Sequence, residues 1–90
     1  MSDKKELSEM LRLSNMGKQT VYVVLTIHDL LEARDYTLQE LLAHSKLQQY
    51  FKNVHEGINY LRFNGLIAIN LVEKNNRIDV LYSLNKTVEV

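Results

Sequence analysis

The spacing of apolar residues changes once along this chain, near residue 65. Before that point they recur every three or four residues, which is typical of amphipathic helices. After it every second residue is large and apolar, as at Ile67, Ile69 and Leu71, which is typical of strands with one buried face. The pattern therefore predicts an α+β chain, with helices over the first two thirds and a β-hairpin after them.

Two helices are predicted in the first 33 residues. Leu7, Met10 and Leu11 lie at positions i, i+3 and i+4, which predicts a short helix over 3–13 followed by a turn. A longer helix over 18–33 has a wide apolar face, and many of its residues are β-branched, which lowers helix propensity. A strand over 20–27 is therefore the alternative. The predicted face comprises Val21, Val24, Leu25, His28 and Leu31, widened by Tyr22, Ile27 and Leu30.

A third and a fourth helix are predicted between residues 37 and 64. After a connector over 34–36, Thr37 and Glu40 have the spacing of a capping box, in which each side chain bonds a free amide of the first turn. A turn over 44–49, with a possible second capping box at 45–48, leads into a helix from about residue 46. Gly57 within it predicts close approach of another backbone, and Asn64-Gly65 predicts a left-handed cap. Its predicted inner face comprises Leu47, Tyr50, Phe51, Val54, Ile58 and Leu61.

The alternating segment predicts a two-stranded hairpin over 65–84. Ile67, Ile69 and Leu71 alternate in the first strand, and residues 78–84 alternate in the second. A polar segment over 73–77, rich in turn residues, lies between them. Residues 85–90 are interpreted as a tail. The predicted organisation is one domain over 1–90: helix and turn over 1–17, helical core over 18–64, hairpin over 65–84, tail over 85–90.

Composition narrows the class of protein. The 90 residues contain no cysteine, which excludes disulfides and thiolate zinc sites. The longest apolar run, over 21–25, is far shorter than the roughly 20 residues that span a bilayer. The first residues do not resemble a secretory signal. We therefore expect a cytoplasmic protein without a membrane partner.

Net charge is zero, but its distribution is uneven. Residues 1–43 and 78–90 are slightly acidic, whereas residues 44–77 hold five cations against two carboxylates. This basic excess falls on the fourth helix and the hairpin tip, where it favours contact with an anionic partner such as nucleic acid.

Candidate chemistry is sparse. The three histidines are not at metal-ligand spacing with one another. His28 and Glu32 lie at i and i+4 on a helix, but the sequence indicates no third ligand. No phosphate loop, nucleophile elbow or paired-carboxylate motif is present. We therefore expect no catalysis, no metal and no cofactor.

The order of elements over 18–84 resembles the winged helix-turn-helix family. The segment Tyr36-Thr37-Leu38-Gln39-Glu40 is similar to the start of that family's first helix-turn-helix helix, and Asn64-Gly65-Leu66-Ile67 is similar to its step from recognition helix into wing. The resemblance implies three core helices and a C-terminal two-stranded wing, with the helix over 1–17 as an addition.

That resemblance implies binding of double-stranded DNA, with the helix over 46–64 in the major groove and residues 73–77 on the backbone or in the minor groove. A transcriptional regulator or a plasmid or phage DNA-binding factor is the expected role. The angular positions of residues around the helix indicate which side chains face outward, where they would contact bases and phosphates. The expected DNA-binding residues are Lys46, Gln48, Gln49, Lys52, Asn53, His55, Glu56, Asn59, Lys74, Asn75, Asn76 and Arg77.

A homodimer is expected, because two recognition helices one DNA turn apart read a palindrome or repeats. The expected dimer surface is the first helix, through Leu7, Met10 and Leu11, with the outer side of residues 20–31. The alternative function is a protein-interaction module without DNA binding, which zero net charge and the apolar second helix favour.

Overall fold

The computed structural model describes residues 3–85, including the side chains of residues 6–85. Its elements are α1 (Asp3–Leu13), α2 (Lys18–Ala33), β1 (Tyr36–Thr37), α3 (Leu38–Ala43), α4 (Phe51–Phe63), β2 (Ile67–Lys74) and β3 (Arg77–Leu84). The strands form one antiparallel sheet in the order β1-β3-β2. The α+β prediction is confirmed, and the topology is compatible with a winged helix. Residues 86–90 of the expected tail over 85–90 lie outside the described residues.

Helix α2 runs through the centre of the protein with the predicted bounds, so the strand alternative is wrong. Its buried face is rotated from the predicted one. Val23, Val24 and Ile27 are fully buried, whereas Val21 and Leu25 are only half-buried. The core around it comprises Leu7, Leu11, Val23, Val24, Ile27, Leu31, Leu41, Leu47, Val54, Ile58, Leu61, Ile67 and Tyr82.

Helix α1 packs against α2 and completes this core. Leu7 and Leu11 are almost fully buried within the protein's own core. The prediction that they form a dimer surface is therefore wrong, because exposing them to a partner would require α1 to leave the core. Of the other apolar residues of α1, Met10 is half-buried and Leu13 is exposed.

The predicted connector between α2 and α3 contains a short strand. Tyr36 pairs with Tyr82 and Thr37 with Leu81, so the sheet has three strands rather than the predicted two. Thr37 is also the N-cap of α3, and the capping box is confirmed: Glu40 N donates to Thr37 Oγ1 at 3.1 Å and Thr37 N donates to Glu40 Oε1 at 2.9 Å. The hydrogen bond that the Thr37 amide donates lowers the pKa of the Glu40 carboxyl group, because it stabilises the carboxylate.

Helix α4 begins later than predicted. The chain leaves α3 through a turn and a 3₁₀ turn (Gln48–Tyr50), and regular α-helix starts only at Phe51. Leu47 anchors this turn in the core, whereas Phe51, predicted to face inward, is 55% exposed. The second capping box does not form: Gln48 N donates to His44 O, and the Gln48 side chain donates to Ala43 O rather than to Ser45.

The other end of α4 is as predicted. Gly65 has φ +68°, Gly65 N donates to Arg62 O, and Leu66 N donates to Leu61 O. These two bonds form a Schellman motif, which needs a left-handed residue that glycine supplies without strain. The cap turns the chain directly from the helix into β2.

The hairpin is longer and its turn tighter than predicted. Strands β2 and β3 pair without a break from Ile67↔Leu84 to Lys74↔Arg77. Asn75 and Asn76 alone form the turn, with φ +54° and +61°. Two left-handed residues define a type I′ turn, whose twist matches that of the strands it joins. Within residues 3–85 no helix is long and apolar enough to cross a membrane.

Candidate nucleic-acid interface

The inner face of α4 lies against α2 at close range. At Gly57 an added Cβ would meet Val23 Cγ1 at 3.0 Å and Val24 Cγ2 at 3.4 Å. The predicted close approach at this glycine is confirmed, and its partner is α2. Val54, Ile58 and Leu61 of α4 are buried around the crossing. The position of the outer face of α4 is therefore set by its contact with α2.

A buried hydroxyl of α2 bonds two polar residues of α4. Thr20 Oγ1 donates to Glu56 Oε1 at 2.9 Å and accepts from Asn53 Nδ2 at 3.0 Å. Thr20 itself is almost fully buried. One amide donor of Asn53 is therefore used in the contact between the helices, and the DNA contact predicted for this residue stays a prediction. The carboxylate of Glu56, expected to repel phosphate unless turned away, is held toward α2.

The outer face of α4 and its 3₁₀ turn remain open to solvent. Gln49, Lys52, His55 and Asn59 are all exposed, as predicted from helical angles. Phe63 at the end of the helix is 88% exposed, so the hairpin does not cover it. This face offers amide, imidazole and ammonium groups, which suit hydrogen bonds to base edges and phosphates.

The turn before α4 is held by local hydrogen bonds. Lys46 N donates to His44 Nδ1 at 3.1 Å, and Gln48 Nε2 donates to Ala43 O at 3.0 Å. Tyr22 of α2 donates its hydroxyl to Lys46 O at 3.5 Å, and its ring lies 5.2 Å from that of Tyr50. The Lys46 ammonium is left exposed, whereas Gln48 uses one donor to cap the last turn of α3.

The tip of the hairpin presents the other expected contacts. Lys74, Asn75, Asn76 and Arg77 are all exposed. The two asparagines suit the turn itself, since asparagine tolerates left-handed backbone better than most residues. Their presence is therefore explained by the turn, and only the two cations remain as specific candidates for an anionic partner.

Among residues 6–85, no ion pair neutralises the cations of these two regions. The described ion pairs of 3.4 Å or less join Arg12 to Glu9 and Arg34 to Glu40, in other parts of the chain. Within the described residues no such pair involves the five cations between residues 44 and 77. Their charge is therefore available to a ligand, with Glu56 turned to α2. These cations are Lys46, Lys52, Arg62, Lys74 and Arg77.

A second cluster of polar residues lies on α2, away from α4. Asp29 joins His28 and Glu32, with possible ligand atoms of all three within 4.8 Å of one another. The sequence analysis missed this third residue. His28 is buried and its Nδ1 has no hydrogen-bond partner among the described residues. The ring also lines a small polar cavity with Glu6 and Asn85, which a water molecule could occupy.

The sequence analysis also missed the residues of α2 that support the candidate face. Thr20 and Tyr22 bond α4 and its preceding turn from a helix far away in sequence. The only signal was a polar residue, Thr20, beside the apolar face of α2, and such residues are common at helix starts.

In comparisons with known proteins, no family model and no curated protein sequence matches this chain.

Proposed function

We propose that this protein is a winged-helix protein that binds double-stranded DNA. The supporting observation is the outer face of α4: its polar side chains are exposed and form no ion pair with the described residues, while the inner face is fixed on α2 by Gly57 and Thr20. Rigid elements present ligand-binding side chains more accurately than loops do. The strand order β1-β3-β2 next to the α3–α4 pair supports the winged-helix assignment.

In this proposal α4 enters the major groove. Lys52 and His55 contact phosphates or guanine, and Gln49 and Asn59 contact base edges, where amides suit adenine. Lys46 binds the backbone before the helix. Lys74 and Arg77 of the hairpin tip bind the backbone or the minor groove. The role is that of a transcriptional regulator or a plasmid or phage DNA-binding factor acting as a homodimer in the cytoplasm, without catalysis or a cofactor.

Fluorescence anisotropy with a random-sequence duplex, from low to physiological salt, tests the proposal. We expect binding at low salt, with the logarithm of the association constant falling linearly with the logarithm of salt concentration. The slope of this line should be about −0.9 for each phosphate that the protein contacts. A flat salt response, or no binding at the lowest salt, contradicts the proposal.

A paired set of variants tests the assigned face. Lys52→Ala/Asn59→Ala removes one cation and one amide from the outer face of α4, and we expect weaker binding and a smaller salt slope. Arg12→Ala removes one cation from α1 and leaves that face intact, so binding should stay close to that of the unchanged protein. Equal affinity of both variants contradicts the assignment of α4.

A protein-interaction module without DNA binding is the second candidate. The exposed apolar side chains of the hairpin, Leu71 and Ile78, favour it, since DNA backbone contacts do not need them. This candidate predicts no DNA retention at low salt together with a stable complex formed through the apolar surface.

A further inference from the structure

The outer edge of β2 is an unprotected strand edge. Strand β2 lies at one side of the sheet, with β3 as its only described neighbour. Residues 67–72 contain no charge and no proline, and the unbroken register shows no bulge. Native proteins usually protect exposed edges with one of these devices, because an open edge pairs with other strands. Lys74 and Glu73 lie only at the far end of the strand.

The other edge of the hairpin, that of β3, is partly covered, in contrast to the edge of β2. Strand β1 covers β3 at Leu81 and Tyr82. Beyond β1, Val80 N donates to Asp79 Oδ1 at 2.7 Å, so that amide is used within the strand. No side chain of residues 6–85 makes an equivalent bond to the amides of Ile69 or Leu71.

The type I′ turn determines which backbone groups of β2 point outward. In a two-residue hairpin the residues next to the turn, here Lys74 and Arg77, form a hydrogen-bonded pair, and such pairs alternate along the ladder. The N–H and C=O groups of Ile69, Leu71 and Glu73 therefore point away from β3. Leu71 is 71% exposed, so free backbone groups and an exposed apolar side chain occur in the same residue.

We infer that β2 pairs with β2 of a second copy of this chain, antiparallel, to form a continuous six-stranded sheet. With Asn70 opposite the partner's Asn70, Ile69 of each copy lies opposite the partner's Leu71. Residues related in this way have side chains on the same face of the sheet. The outward backbone groups of Ile69 and Leu71 then bond each other across a two-fold axis.

The positions of the charges and the area of the edge both bear on how a second copy pairs with β2. Antiparallel pairing sets the two hairpin tips at opposite ends, whereas parallel pairing would bring Lys74 and Arg77 beside their own copies. Residues 67–72 of the paired strands carry no charge, and Glu73 of each copy lies opposite Ile67 of the other, so no like charges face each other across the contact. An eight-residue strand about 26 Å long covers on the order of 400 Å² per copy, about half of a standard interface. A weak, concentration-dependent dimer is expected.

The inference does not rest on DNA binding, and it replaces the α1 dimer surface that the burial of Leu7 and Leu11 rules out. Amide hydrogen exchange of the full chain, followed by NMR without DNA from about 10 μM to about 1 mM, tests it. We expect the amides of Ile69 and Leu71 to exchange at least ten-fold more slowly at the highest concentration. Those of Asn70 and Val72, which point to β3, should be slow throughout.

Sedimentation velocity on two variants separates edge pairing from other contacts. Leu71→Lys adds a charge at the paired edge and should keep the chain monomeric. Ile78→Lys adds the same charge to an equally exposed residue of β3, off the edge, and should dimerise like the unchanged protein. Loss of the dimer in both variants indicates packing through the sheet face and overturns the edge pairing. So does a dimer in both variants, or a chain that stays monomeric at every concentration.

Discussion

The crossing of α2 and α4 and the tip of the hairpin both carry expected DNA contacts, but they are built in opposite ways. At the crossing, side chains from distant parts of the chain meet in the core, with Gly57 and Thr20 at the contact. At the tip, order comes from the backbone ladder and one tight turn, while Leu71 and Ile78 stay exposed. The crossing therefore fixes geometry through packed side chains, whereas the hairpin is ordered by its backbone and leaves apolar side chains exposed.

A matched pair of leucines tests this contrast most strongly. Leu61 is fully buried at the crossing and Leu71 is exposed on the hairpin. We expect Leu61→Ala to lower the free energy of unfolding by about 2–5 kcal/mol, because it leaves a cavity in the core. Leu71→Ala should change it by less than about 0.5 kcal/mol. Urea denaturation at low micromolar concentration, where self-association does not contribute, measures both; similar losses would remove the distinction.

A double-mutant cycle isolates the hydroxyl at the crossing. Thr20→Val and Asn53→Ala each remove one side of a buried hydrogen bond, so their effects on unfolding free energy should be coupled by about 0.5–1.5 kcal/mol. Asn59→Ala changes the same residue type on the outer face of the same helix, and its coupling to Thr20→Val should be near zero. Equal coupling in the two cycles would show that the bond between Thr20 and Asn53 does not stabilise the crossing.

A substitution in the hairpin turn should change the free energy of unfolding only slightly, and it should raise it rather than lower it. Asn76 has φ +61°, a conformation that glycine adopts without strain. We expect Asn76→Gly to raise the free energy of unfolding by a few tenths of a kcal/mol, since Asn-Gly is favoured in type I′ turns. Asn70→Gly, in the middle of β2, should instead lower it by about 0.5–1 kcal/mol. Thermal denaturation distinguishes the two signs.

The sequence predicted the elements whose signals are local. The capping box at Thr37, the left-handed Gly65 and the two strands of the hairpin are each predicted from a few residues, and the structure confirms them. The buried face that the alternation predicts forms only in part, because Leu71 and Ile78 are exposed. Strand β1 was missed because two residues have no periodicity, and only pairing with Leu81 and Tyr82 makes them a strand.

Two features of the candidate site were not predicted. Helical angles predicted the outer face of α4 correctly, but not that Asn53 bonds Thr20, 33 residues earlier. Phe51 fitted the apolar face of one long helix, yet the 3₁₀ turn before it changes the rotation of the chain. Contacts between distant segments, which periodicity does not encode, decided both cases.

Thr37 belongs to two elements at once, since its backbone pairs with Leu81 and its side chain caps α3. The hairpin is therefore joined to α3 directly at Thr37, in addition to the contacts of β3 with α2 and α3. Movement of β3 at Leu81 would reach the first turn of α3 through this backbone pair.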